Sequence, residues 1–233
     1  MSTPNDALTA LARSRTLDVG ILLFPDVEVL DFAGPFEVFS VASRIARDQP
    51  HAPFRVSTIA AERMPVPARH GLPVIANFTF DEWAPVDILI VPGGIVDQPL
   101  SDPASLAWLE ATTKQAALTA SVCTGAFLLA KLGLLDGKTV TTHWEDIPEL
   151  RATYPKLNVV EDVPYVDEGR IITSAGISAG IDMSLHIVGR ILGPAAARAT
   201  ARQMQFDWAP VLSSKADALH QGGGESLRTE ERA

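Results

Sequence analysis

The chain has 233 residues, enough for one sizeable α/β domain and hardly enough for two. Apolar residues make up 47%, which excludes global disorder, and a formal net charge of −9 argues against a nucleic-acid surface, because phosphate binding needs concentrated Lys and Arg. One cysteine allows no internal disulfide, and no apolar run approaches membrane-spanning length, so the expectation is a cytoplasmic protein without a membrane partner.

Residues 1–16 are polar, lack the apolar core of a signal peptide, and read as a loose leader. Leu17 to Phe24 is a nearly continuous apolar run, as expected for a strand buried on both faces. After Pro25-Asp26 comes a connection containing Asp31, then a helix-like stretch from Phe36 to Ala42, with Pro35 suited to its first turn. Phe54 to Ala60 reads as a second strand. Met64 to Phe80, broken by Pro65, Pro67, Gly71 and Pro73, suits short edge strands. Val86 to Val91 is another buried strand, running into Pro92-Gly93-Gly94. Glycines there let backbone N–H groups approach a ligand, although an ordinary tight turn uses the same residues. A helix spans Asp102 to Leu118, with Asp102-Pro103 as cap and first-turn proline.

Leu118 to about Leu132 then reads as a short apolar strand, an abrupt turn and an apolar helix. Cys123 stands at the corner. A side chain there lies beside unpaired helix N–H groups, whose dipole favours negative charge, so the thiol is expected to lose its proton more easily. Strand, nucleophile and helix in that order form a nucleophile elbow, while the plainer alternative is a small buried hydrophobe. Lys138 to Trp144 reads as a strand ending at His143, followed by a helix from about Glu145 to Tyr154. Asp167-Glu168-Gly169 between two apolar runs signals a hairpin, hence an antiparallel edge pair on a mostly parallel sheet. Helices follow over Ile177 to Leu192 and Pro194 to about Phe206. The polar tail from 209 to 233 is set apart from a domain over 17–208.

Two further patterns carry less. Gly176-Ile177-Ser178-Ala179-Gly180 matches the Gly-x-Ser-x-Gly motif, but the later histidines, His186 and His220, are poorly placed to serve Ser178. Its glycines suit close packing of a helix start on the sheet. The histidines are scattered, Asp182 with His186 is a single helical pair, and neither a metal set nor a cofactor fingerprint stands out.

Val122-Cys123-Thr124-Gly125-Ala126, Thr141-Thr142-His143-Trp144 and the run from Thr173 to Asp182, in that order, resemble the DJ-1/PfpI superfamily. The resemblance covers nearly everything from Leu17 to about Trp208. It implies a flavodoxin-like three-layer sandwich of the class I glutamine amidotransferase type, usually homodimeric, with Cys123 as the reactive centre. Within the superfamily, Phe24 to Pro35 looks like the isonitrile hydratase branch, and is also similar to the amidase-like domain of AraC-type regulators. Regulators of that type need a DNA-binding domain at the C-terminus, and the tail after Trp208 is too short for one.

The resemblance also implies roles. Cys123 matches the nucleophile, Thr124 the residue after it, and Asp31 the acid that isonitrile hydratase places against the thiol. Gly93 and Gly94 match the glycine turn facing the site. His143 matches a histidine near the cysteine in DJ-1, at the same separation of 143 − 123 = 20 residues. Gly176 and Ile177 would form another wall. PfpI-type proteases carry histidine where Thr124 stands, and DJ-1 carries glutamate where Asp31 stands, so both departures favour the hydratase branch. The expected chemistry is conversion of an isonitrile into an N-substituted formamide through a covalent thioimidate, with Asp31 protonated at the start and backbone N–H groups of Gly94 and Thr124 holding developing charge. A redox-sensing protein and a glyoxalase-like or amidase enzyme are the alternatives.

Overall fold

The computed structural model describes residues 4–46, 50–82 and 85–209. The segment expected to be a loose leader is instead helix α1, Pro4–Ser14. Leu8 and Ala12, one turn apart, are buried, because a short helix in a polar stretch can still present one apolar stripe. Strand β1 is Leu17–Leu22 and α2 is Val29–Ile45. Strands β2, Phe54–Ala60, β3, Val66–Pro67, β4, Pro73–Val74, and β5, Phe78–Thr79, follow. Then come β6, Ile88–Val91, helices α3, Asp97–Ser101, and α4, Pro103–Gln115, strand β7, Leu118–Val122, and α5, Gly125–Lys131. The chain continues through β8, Thr139–Val140, α6, Ile147–Thr153, β9, Asn158–Val159, β10, Tyr165–Asp167, and β11, Ile171–Ser174. Helices α7, Ala179–Leu192, and α8, Pro194–Gln203, complete the described fold. The polar tail from 210 lies outside the described residues.

The main sheet has seven strands in the order β10-β11-β7-β6-β1-β2-β5. Every pairing in it is parallel except β10 with β11, the expected hairpin. Strands β6 and β7 are buried at every position, as strands covered on both faces must be. Helices α1, α2, α7 and α8 pack on one another, and α3 packs with α4 and α5, so two groups of helices flank the sheet in the flavodoxin-like manner. The chain runs outward from β1 to β2 and returns to place β6 on the other side of β1. That reversal is a topological switch point, and ligands in open α/β sheets bind at the carboxyl ends of the strands beside one.

Three local expectations need correction. Helix α2 starts at Val29, so Asp31 lies in its first turn and Pro35 inside it. Proline has no N–H to bond the carbonyl four residues back, here that of Asp31. That is why the sequence suggested a later start. The run from Lys138 to Trp144 is strand only at Thr139–Val140, which pairs with β9 outside the main sheet, and Trp144–Asp146 is a 3-10 turn. Strands β3 and β4 likewise form their own pair.

The hairpin edge is tied to α7 by charge. Asp167 accepts from Arg190 Nη1 at 2.8 and 2.9 Å and lies 2.7 Å from His186 Nε2. Burial pushes the Asp167 carboxyl up, but the His186 hydrogen bond and the Arg190 charge outweigh it and hold the carboxyl below its ordinary value.

Candidate active site

Register brings the site together. Val91 lies opposite Ser121, and Ser174 opposite Val122, so the chain leaves β6, β7 and β11 at one level. Gly93, Cys123 and Gly176 therefore emerge side by side at the carboxyl edge. The loop after β1 is laced to the loop after β6. Glu28 N–H donates to Gly93 O at 2.9 Å and Ile95 N–H to Asp26 O at 3.2 Å. That lacing fixes where α2 begins, and with it Asp31.

The elbow is present. Cys123 has φ of 55°, in the left-handed region that non-glycine residues rarely occupy. Holding it there costs on the order of 1–3 kcal/mol, a strain found at functional corners. Backbone contacts hold the corner on several sides. Cys123 N–H donates to Ser174 O at 3.2 Å, and Thr142 Oγ1 donates to Cys123 O at 2.8 Å. The Thr124 hydroxyl clamps the neighbouring loop, accepting from Gly94 N–H and donating to Gly94 O, each at 2.9 Å. Gly176 is where a side chain cannot fit: a Cβ there would sit 2.7 Å from Cys123 Sγ and 2.8 Å from a His143 ring carbon.

Asp31 is fully buried beside the thiol. Its Oδ2 accepts from Gly93 N–H at 3.0 Å, and among the described residues its Oδ1 has no hydrogen-bond partner. Burial pushes this carboxyl up to about 7, with the Gly93 N–H pulling the other way and Glu28 adding to the rise. Cys123 is pushed up to about 12, first by burial and then by the Asp31 charge, against the pull of Thr124 N–H, with Asp146 adding to the rise. The expectation of an easily ionised thiol is therefore overturned. Desolvation and two acidic neighbours outweigh a helix N-terminus. Near neutral pH the Asp31–Cys123 pair holds one proton or two, and the thiol keeps the last.

The structure gathers Cys123, Asp31, Thr124, Gly93, Gly94, His143 and Gly176, with Ile177 next in line and exposed. The expected oxyanion donors are only half available. Gly94 N–H is spent on Thr124 and Gly93 N–H on Asp31, which leaves Thr124 N–H directed at the thiol. Ser178 is exposed at the start of α7, while His186 is engaged by Asp167, so among the described residues the Gly-x-Ser-x-Gly match assembles no hydrolase triad; His220 lies outside them. Gly180 instead packs on β7, a Cβ there coming within 3.0 Å of Val122.

Sequence reading passed over Asp146. Its Oδ2 lies 3.4 Å from His143 Nδ1, and a carboxylate oxygen of Asp146, a His143 ring nitrogen and Cys123 Sγ all lie within 4.8 Å of one another. The only signal was the spacing of three residues from His143, hidden because Glu145 and Asp146 read as ordinary acids at a helix start. Burial raises the Asp146 carboxyl, with His143 opposing.

Fold and corner together define a parallel α/β protein with an acid-paired cysteine at a nucleophile elbow. The chain belongs to the DJ-1/PfpI family, whose profile it matches over residues 18–190. Isonitrile hydratase of Pseudomonas putida is 33% identical over 202 residues, covering 85% of this chain and 82% of that protein. The HTH-type transcriptional regulator CdhR of Pseudomonas aeruginosa is 32% identical over 177 residues, which are 76% of this chain and 51% of the regulator, so the chain spans about half its length. Among solved structures, a THiJ/PfpI family protein from Pseudomonas syringae superposes with a TM-score of 0.73 at 25% identity, covering 86% of this chain and 79% of that one. DJ-1beta of Drosophila melanogaster superposes at 0.71 and 18% identity, covering 83% and 100%. Among the described residues no helix is long and apolar enough to cross a membrane.

Proposed function

We propose that the protein is a Cys123-dependent hydratase that converts an isonitrile into an N-substituted formamide. The observation that carries this reading is the Asp31 carboxyl, buried against the Cys123 thiol that hydrogen-bonds it and held by Gly93 N–H through one oxygen. Addition of a thiol to an isonitrile carbon needs a proton moved from sulfur to that same carbon, and a carboxyl in this position is built to move it.

The thiol holds the last proton of the pair, so Asp31 starts ionised rather than protonated as the resemblance implied. In the first step the Cys123 proton passes to Asp31 as sulfur bonds the terminal carbon of R–N≡C. Asp31 returns the proton to that carbon, giving the thioimidate Cys–S–CH=N–R. In the second step ionised Asp31 takes a proton from water, the hydroxide adds to the carbon, and the nitrogen is protonated. Collapse forms the carbonyl, breaks the C–S bond and releases R–NH–CHO, with the departing sulfur regaining its proton. The net reaction consumes one water and nothing else. Each positioned proton transfer contributes roughly 10²–10⁴-fold. Thr124 N–H faces the sulfur and offsets charge there as the proton leaves.

Four exposed apolar side chains stand next in sequence to site residues: Leu30 beside Asp31, Ile95 beside Gly94, Trp144 beside His143 and Ile177 beside Gly176. They fit a substrate whose N-substituent is apolar, and we place the enzyme in the cytoplasm as a homodimer acting on such a small molecule. A redox-sensor role is less well supported, because a buried thiol that keeps its proton oxidises slowly.

The test is formamide production from a simple alkyl isonitrile. Wild-type turnover that vanishes in Cys123→Ala, with unchanged circular dichroism, supports the assignment, whereas equal turnover in that variant removes Cys123 from the chemistry.

A further inference from the structure

We propose that Cys123, His143 and Asp146 form a binding site for a thiophilic divalent cation, with zinc as the ion their donor atoms fit. One sulfur, one imidazole nitrogen and one carboxylate oxygen are the donor types that zinc takes in proteins.

Geometry separates this reading from a proton relay. In a relay the histidine ring stands between thiol and carboxylate, one nitrogen facing each, so sulfur and oxygen end up roughly 7 Å apart when both hydrogen bonds have ordinary lengths. Here the Asp146 oxygen, the His143 nitrogen and Cys123 Sγ lie within 4.8 Å of one another. The three donors stand at the corners of a triangle with no side longer than 4.8 Å. With bonds of about 2.3 Å to sulfur and about 2.0–2.2 Å to nitrogen and oxygen, tetrahedral zinc holds its ligands roughly 3.3–3.6 Å apart. A side-chain movement on the order of 1 Å therefore closes the triangle.

The surroundings suit a cation. Thiolate and carboxylate together neutralise its two charges, and Asp31 adds a further acid beside the thiol. Glu145 Oε2 lies 3.8 Å from His143 Nδ1. Asp146 is half-buried with its side chain 29% exposed, which leaves an open side for entry and for water as the fourth ligand. Binding displaces the thiol proton, Cys–SH + Zn²⁺ giving Cys–S–Zn⁺ + H⁺, so affinity rises with pH. A bound ion occupies the nucleophile. That consequence, inhibition of turnover, rests on the hydratase reading, whereas the binding itself does not.

The experiment uses the full chain, freed of metal with a chelator that is then removed, and cobalt(II) as a spectroscopic probe. The expected result is a thiolate-to-cobalt charge-transfer band saturating at one ion per chain, abolished in Cys123→Ser and displaced by zinc. Zinc affinity, read by competition with a chromophoric chelator, is expected to fall at least about tenfold in Asp146→Asn. This variant alters a partly exposed position and keeps the test clear of folding defects in the cysteine variant. Absence of the charge-transfer band with Cys123 fully reduced overturns the proposal, and so does an unchanged zinc affinity in Asp146→Asn. A separate assay adds zinc to isonitrile turnover. Lack of turnover in metal-free protein would remove the hydratase reading and leave the cobalt result to decide the site.

Discussion

Asp31 sets the terms at the scale of single residues. Its side chain is large enough to reach the thiol and too well buried to be ionised cheaply. A carboxyl raised from 3.8 to about 7 binds its proton more tightly in the folded state than in the unfolded one. Its contribution to stability is complete below about 4 and is lost as pH rises through about 7. Asn keeps the acceptor for Gly93 N–H and carries no charge. Asp31→Asn is therefore expected to abolish turnover while stabilising the protein above pH 7, by up to about 4 kcal/mol, with little gain near pH 4. Thermal melts at the two pH values check this. The active form of the pair holds one proton, so kcat/KM for a non-ionising isonitrile should rise with pH through about 7 and stay level into the alkaline range, since the thiol titrates only near 12. A flat profile from pH 5 to about 9 would remove Asp31 as the controlling group.

At the scale of elements, the site depends on how loops are clamped. The Thr124 hydroxyl both accepts from and donates to Gly94. Thr124→Val keeps the shape and leaves Gly94 N–H without its partner, for an expected loss of about 1–3 kcal/mol. Denaturant melts measure it, and a loss of turnover larger than the loss of stability would show that the clamp also sets the position of Cys123. The strands and the elbow were legible in the sequence because buried parallel strands are continuous apolar runs and a lone cysteine between such a strand and a helix is conspicuous. The start of α2 was not, because Pro35 imitates a helix beginning. Helix α1 was hidden by a polar context in which, among the described side chains, Leu8, Leu11 and Ala12 mark the packed face. Asp146 was hidden for a different reason: its meaning lies in the distance to Cys123, and sequence spacing reports only its distance to His143.

For the whole molecule, the parallel topology gathers the site from distant parts of the chain. Asp31 follows β1 and Cys123 follows β7, 123 − 31 = 92 residues later, and they meet only because β6 and β1 pair at the centre of the sheet. No local segment can make the acid–thiol pair by itself. The charge cluster of Asp167, His186 and Arg190 then fastens the hairpin edge to α7, whose first turn covers the back of β7 through Gly180. Parallel sheets with such separations depend on contacts that form late in folding.

The solitary thiol makes that assembly readable. Cys123 is the only cysteine in 233 residues, is 7% exposed, and holds its proton up to about 12. Any opening of the corner separates it from Asp31 and returns it towards the ordinary acidity and access of a free thiol. Alkylation by a small reagent at pH 8 should accordingly be slow in the native state, and its rate should count the openings of this one corner rather than global unfolding. Measured through a denaturant series, the labelling rate would give the free energy of breaching the elbow. A value well below that of complete unfolding would make the corner a gate that opens while the sheet behind it stays closed.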